Sequence, residues 1–333
     1  MIKLTTPNGL EANVPEFDSE DITNKFNIEQ LNEIKDYYDS EGYVVIKNLI
    51  SKDICNKARF HWETEVKPFK GYIYRQAGTR AEKNLFNDRG WVMNPILNLQ
   101  SLNPKFFGEL RSHSENKVFS NSNLKKVFEI LLGDKPKIVQ SMYFEGNSAT
   151  WEHQDSYYLD SERVGSMSAA WVALEDIEAE AGRFFVCPKS QLIDLGRQNI
   201  KNNIADHHED YISQIVEKIK EQQLEIKAPK LNKGDVLFWN SWTIHGSLMS
   251  EDKKNSRSSI TCHAIADKDL FLQRHSRLID IRCDEINGVS IYRPKDQTKL
   301  RNKSIIFIES YFPTIFYFLK YRAVKFFIKH RRN

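Results

Sequence analysis

Two histidines and one carboxylate are the residues of this chain whose types and spacing point most directly to chemistry. They lie in Trp151-Glu152-His153-Gln154-Asp155 and in Trp239-Asn240-Ser241-Trp242-Thr243-Ile244-His245-Gly246-Ser247. In an extended segment, residues i and i+2 project to the same side. His153 and Asp155 can therefore offer an imidazole nitrogen and a carboxylate oxygen to one point, with His245 arriving from a distant segment. Two imidazoles and a carboxylate on one face of a metal leave three positions open. That is the donor set of non-haem iron(II) centres that must take a co-substrate and dioxygen together. A His-x-Asp triplet alone is common by chance, as a surface histidine beside a solvated aspartate, so its order and context have to carry the weight.

Arg257 follows His245 by twelve residues, about a turn and part of the next strand. Its planar fork there could take one end of a dicarboxylate whose other end chelates the metal, and Ser259, two residues on, faces the same side. Read alone, Arg257 could equally be a solvated charge at a strand end.

The elements that must position these residues are short. Residues 1–27 read as a polar, extended arm. Ile28, Leu31, Ile34 and Tyr38 share one helical face, with Gly42 as the stop. A strand is expected at Tyr43–Ile46, a helix from Ser51 through Arg59 and Trp62, loops over 70–122, and a helix over Leu124–Leu132. Strands follow at 137–144, 166–174, 183–186, 236–239 and 258–266, with a polar helix over 206–224 between the third and fourth. One domain with helices around a β core is the simplest assembly.

Composition bounds the alternatives. The 333 residues carry 48 Lys+Arg against 45 Asp+Glu, which excludes a nucleic-acid binder that works by overall charge. Aromatics at 12% exclude a disordered chain. The four cysteines form no CxxC, so a reducing compartment is the default. No apolar leader and no stretch of about 18 apolar residues is found. From Ser310 onward there are six basic residues and no acid; without them 42 basic residues face 45 acidic ones.

In chain order, five groups of segments resemble the phytanoyl-CoA dioxygenase family of Fe(II)/2-oxoglutarate oxygenases. They are residues 38–50, His153-Gln154-Asp155, residues 170–176 with 181–191, residues 233–239, and His245-Gly246-Ser247. The resemblance covers roughly residues 28–268. It implies a double-stranded β-helix, that is a jelly-roll or cupin-like, mainly β core within an α+β chain with flanking α-helices. The domain would span 28–300, its jelly-roll core about 137–268, between the arm and a basic aromatic tail at 301–333. It implies iron on His153, Asp155 and His245, and 2-oxoglutarate on Arg257 and Ser259, with Gln140 and Ser247 as further contacts. Lys189 and Gln191 depart from the family's Pro-Gly-Ser-His turn, and Arg183 stands where the family usually has a small or apolar residue.

The implied activity is a dioxygenase that consumes O2 and 2-oxoglutarate, releases succinate and CO2, and hydroxylates a small molecule, glycan or glycolipid. Related halogenases lack the carboxylate that Asp155 provides. The same site could run desaturation, cyclisation or epimerisation; a rival of another class is a non-catalytic jelly-roll binding module. Tyr157 and Arg183 are candidate substrate contacts, as are Arg75, Arg80 and Lys83 for an acidic group. His263 reads as packed rather than ligating, and His207-His208 as a solvated helix start. The expected location is cytoplasmic. For the tail two readings compete: packing on the jelly roll, or peripheral contact with the inner face of a membrane, with Pro313 starting or kinking a helix.

Overall fold

A strand that is apolar on both faces must be covered on both sides, and five segments of this chain meet that description. A computed structural model describes residues 1–78, 80–146, 149–193, 195, 208–250, 255–273 and 277–330, with side chains through 322. Eight strands carry the site: β1 Tyr43–Ile46, β2 Pro136–Phe144, β3 Thr150–His153, β4 Ser168–Ala173, β5 Phe184–Val186, β6 Val236–Asn240, β7 His245–Ser247 and β8 Ser259–Ala266.

The larger sheet contains the run β2-β8-β4-β6-β1, with Val289–Tyr292 beyond β2 and Lys25–Phe26 beyond β1. The smaller sheet has the order β5-β7-β3, antiparallel throughout. Registers in the larger sheet pair His263 with Gln140 and Ala169, Thr261 with Met142 and Trp171, and Trp239 with Ala169 and Tyr43. Alternation then assigns Tyr43, Trp171, Trp239, Thr261 and His263 to the inner face, toward β5-β7-β3.

The outer face of the same strands presents Val44, Val172, Phe238, Ile260 and Cys262 to the helices. Helix Leu31–Glu41 ends at Gly42, whose φ of 80° is the left-handed stop a glycine supplies without strain. Ser51 caps Lys52–His61 by accepting from the Ile54 amide. Helix Ser122–Leu132 buries Leu124, Val127, Phe128 and Leu132, and the Phe128 ring lies 5.2 Å from that of Phe238. Each such side chain contributes roughly 1.5–3 kcal/mol on burial. Trp62 stacks on Tyr143 at 3.9 Å, tying the second helix to β2.

Three regions differ from the sequence reading. The N-terminal segment is not an extended arm: Ile2–Thr5 and Glu11–Val14 form a hairpin that buries Leu10, Ala12 and Val14. The stretch 70–122 is not all loop. Helix Pro104–His113 lies within it, capped by Asn103 and opened by Pro104, and its Phe107 and Leu110 join the core. That Asn-Pro pair was a legible start signal. Lastly, strands Phe271–Gln273, Arg277–Ile279, Cys283–Ile286 and Val289–Tyr292 extend the β structure past residue 268.

The tail forms helices Leu300–Tyr311 and Pro313–His330, with Pro313 opening the second. Residues 313–322 are exposed apart from half-buried Phe316, so this stretch does not pack on the jelly roll.

Candidate active site

His153 closes β3 and His245 opens β7, and the two are direct cross-strand partners. Their rings lie 4.3 Å apart. The strands come together closely because Gly246 has no side chain; a Cβ there would sit 2.6 Å from the Thr150 carbonyl oxygen. Asp155 lies just past the strand end, where the chain turns into a short 3-10 segment, Asp155–Tyr157. Among the described residues, His153, Asp155 and His245 form the group able to hold a metal, with one ligand atom from each within 4.8 Å of the others.

The imidazoles are held in one orientation. His153 Nδ1 meets the Trp151 carbonyl at 2.8 Å and His245 Nδ1 the Thr243 carbonyl at 2.9 Å. A ring that donates from Nδ1 has a bare Nε2, the form that ligates metal. Both Nε2 atoms face Asp155 Oδ1, at 3.6 and 3.5 Å. The other oxygen, Oδ2, meets Trp239 Nε1 at 2.8 Å and His263 Nε2 at 3.2 Å. Burial opposes the charge on Asp155, but His245, His263 and His153 outweigh it and hold the carboxyl well below its usual range.

Arg257 lies in the same cleft and is 2% exposed. It donates to the Gly182 carbonyl at 2.5 Å and lies 5.4 Å from the Phe144 ring centre. Among the described residues its Nε has no partner, and burial alone pushes the guanidinium down to about 9. No salt bridge among those residues offsets that burial, so an anion bound beside it would gain a charge-assisted partner. The cleft is walled by Trp171, Phe184 and Trp239.

Of the other expected contacts, Ser247 lines this cleft. Ser259 is fully buried and donates to the Arg257 carbonyl at 3.2 Å. Gln140 shares the inner face of β2 with the lining residues Met142 and Phe144 but lies outside the lining. Tyr157 and Arg183, expected to face substrate, are elsewhere. Tyr157 stacks on Tyr211 at 3.7 Å inside a core cluster. Arg183 donates to the carbonyls of Ile177 and Pro15, binding the N-terminal segment to the β core.

The loop cations are likewise committed. Arg75 is fully buried against Asn94 and Asn84, Arg80 pairs with Glu82, and Lys83 lies over Tyr72. His208 is not a solvated helix start, since its Nε2 meets the Tyr158 hydroxyl at 2.9 Å; His207 lies outside the described residues.

Residues absent from the sequence reading of the site are Gln76, Met142, Phe144, Thr150, Trp171, Phe184, Trp239 and Thr261, all in the lining. Extending the alternation from Arg257 through Ser259 would have reached Thr261 and His263. Nothing local marks Gln76.

The family model for phytanoyl-CoA dioxygenase (PhyH) matches residues 38–257. The peroxisomal phytanoyl-CoA dioxygenase of Mus musculus is 24% identical over 243 residues, 69% of this chain and 67% of that protein. Phytanoyl-CoA dioxygenase domain-containing protein 1 of Danio rerio is 28% identical over 250 residues, 65% of this chain and 82% of that protein. Two solved structures from nogalamycin biosynthesis share the fold, each with a TM-score of 0.53. The non-haem α-ketoglutarate-dependent carbocyclase SnoK is 18% identical and covers 76% of this chain and 91% of its own. The epimerase SnoN is 16% identical and covers 80% and 95%.

Proposed function

The chain belongs to the phytanoyl-CoA dioxygenase family, and on that premise we propose that it hydroxylates a small molecule or glycan. Iron(II) is its metal, 2-oxoglutarate and O2 are its co-substrates, and the enzyme is an oxidoreductase. The observation that carries the co-substrate reading is Arg257, a buried cation that forms no salt bridge among the described residues and lines the cleft that holds the triad.

The residues fit the groups. His153 and His245 would offer Nε2 and Asp155 Oδ1, neutral nitrogens and a hard oxygen suited to iron(II). When bound, iron(II) and 2-oxoglutarate supply oxidising power by coupling oxidative decarboxylation of the oxo acid to reduction of dioxygen. Arg257 would take the far carboxylate in a charge-assisted pair. Ser247 is the second contact; Ser259 steadies the Arg257 backbone, and Gln140 is a more distant candidate. Trp239 and His263 keep Asp155 presenting one oxygen. Trp171 and Phe184 shelter the cleft from water.

The proposed reaction turns R–H, 2-oxoglutarate and O2 into R–OH, succinate and CO2. The test is iron-dependent succinate formation across candidate metabolites, followed by mass spectrometry. A product heavier by one oxygen supports hydroxylation. One lighter by two hydrogens means desaturation or ring closure, and an isomer means epimerisation. No succinate under any condition points to a binding module. A lipid-linked glycan at the cytoplasmic face of a membrane is the finer form of this proposal. Among the described residues no helix is long and apolar enough to cross a membrane.

A further inference from the structure

The C-terminal helix pair leaves an unusual amount of apolar surface in water. Leu300, Phe307, Ile308, Tyr311, Phe312, Ile315, Tyr317, Phe318, Leu319 and Tyr321 are each at least 37% exposed. Isolated exposed apolar residues are ordinary; a cluster this dense marks a surface that something covers.

Charge says what covers it. Residues 300–333 carry eight basic side chains, Arg301, Lys303, Lys320, Arg322, Lys325, Lys329, Arg331 and Arg332, and the rest of the chain has 40 basic against 44 acidic residues. The segment's one acid, Glu309, is buried. Lys320 and Arg322 lie over the rings of Tyr317 and Phe318, so cations and exposed aromatics share a surface. A second copy of the chain would bring like charge onto like charge. An anionic bilayer supplies both the counter-charge and the apolar layer.

The pair is also joined to the active site. Tyr74 donates to Glu309 at 2.5 Å and Tyr317 donates to it at 2.8 Å. Lys295 bonds the same Tyr74 hydroxyl, and the Tyr72 and Tyr311 rings meet edge-on at 5.2 Å. Two residues beyond Tyr74, Gln76 lines the cleft. Its amide bonds the Pro95 carbonyl, beside the Ile96–Leu97 strand that pairs with β2 at Met142 and Tyr143.

We infer that the C-terminal helices dock on the surface of an anionic bilayer and hold the Tyr72–Gln76 rim of the cleft there, so that the site takes an amphipathic, membrane-resident substrate. The substrate clause rests on the oxygenase reading; the docking does not.

The test uses the full-length chain with vesicles of phosphatidylcholine alone or with added phosphatidylserine. Co-sedimentation is expected with the anionic vesicles only, weakening as salt rises. Lys320→Ser with Arg322→Ser should lower the partition coefficient roughly thirtyfold. Phe318→Asp with Leu319→Asp, both at exposed positions, should bring binding to background. Hydrogen exchange at Arg75 and Gln76 should slow on vesicle binding. In Tyr74→Phe that slowing should be lost while sedimentation persists.

Docking is overturned if the protein ignores anionic vesicles at low salt. It is overturned too if it forms a concentration-dependent dimer dispersed by Phe318→Asp with Leu319→Asp. Unchanged exchange at 72–76 overturns the link to the rim. Succinate is not read in these measurements, so their failure leaves the oxygenase reading standing; that reading fails on absence of succinate.

Discussion

Trp239 Nε1 donates a 2.8 Å hydrogen bond to Asp155 Oδ2, and Oδ1 is left facing His153 and His245. His263 holds the same Oδ2 from β8 at 3.2 Å. A carboxylate tied through one oxygen presents a single ligand atom, which keeps the remaining metal positions open. Such outer partners orient the ligands they touch and typically alter metal affinity about 10–100-fold.

Trp239→Phe keeps an aromatic side chain but removes the donor and part of the indole's volume. We expect iron(II) affinity to fall at least about tenfold, along with a lower thermal midpoint from the cavity left in the core. Anaerobic calorimetric titration measures the affinity; an unchanged affinity would refute the role assigned to this bond.

Removing a ligand itself is more severe. His153→Ala, Asp155→Ala and His245→Ala should each abolish succinate formation while circular dichroism remains that of the parent, because an open three-ligand site has no spare donor. Near-normal iron binding in His245→Ala would show the triad to be wrongly assigned.

Arg257 separates function from stability. Arg257→Ala should raise the 2-oxoglutarate requirement strongly, and Arg257→Lys should restore it only in part, since the fork is lost. Arg257→Met should also lose 2-oxoglutarate, yet melt at or above the parent's temperature without ligand. Among the described residues no carboxylate pairs with the parent's buried cation, and an apolar side chain of similar reach removes that cost. In the parent, 2-oxoglutarate at about 100 times its dissociation constant should add roughly 2.7 kcal/mol of stability. A parent melt indifferent to 2-oxoglutarate in the presence of metal counts against Arg257 as its anchor.

The N-terminal hairpin should matter to the site through Glu152, the residue before His153. Glu152 is fully buried and takes hydrogen bonds from Thr6 and Asn8 at the hairpin turn. Thr6→Val leaves one carboxylate oxygen without that donor, a cost of about 1–3 kcal/mol by urea unfolding. A wild-type midpoint in Thr6→Val would show the clasp to be inconsequential.

Arg183→Met provides a contrast with Arg257. Its guanidinium serves the Ile177 and Pro15 carbonyls rather than the cleft. The variant should unfold at lower urea while its 2-oxoglutarate dependence stays that of the parent. A selective loss of turnover with stability intact would return Arg183 to the substrate site.

Local patterning determined much of this protein by itself. The His153–Asp155 spacing, the two-faced strands at 136–144, 168–173, 236–240 and 259–266, the glycine stop at Gly42 and the helix start at Pro313 are all written in neighbouring residues. Period and cap chemistry act over a few positions, so they are legible without the fold. Tertiary structure alone decided the rest. The pairing of His245 with His153 joins segments ninety-two residues apart. That pairing in turn depends on Gly246 passing the Thr150 carbonyl. Whether Arg257 is solvated or a desolvated cation is a property of the walls around it, not of its neighbours in sequence. Tyr157 and Arg183 fell away from the site for the same reason: orientation after a strand end is set by what packs there. Gln76, Trp239 and the Tyr74–Glu309 link became visible only once distant strands and helices closed on one cleft.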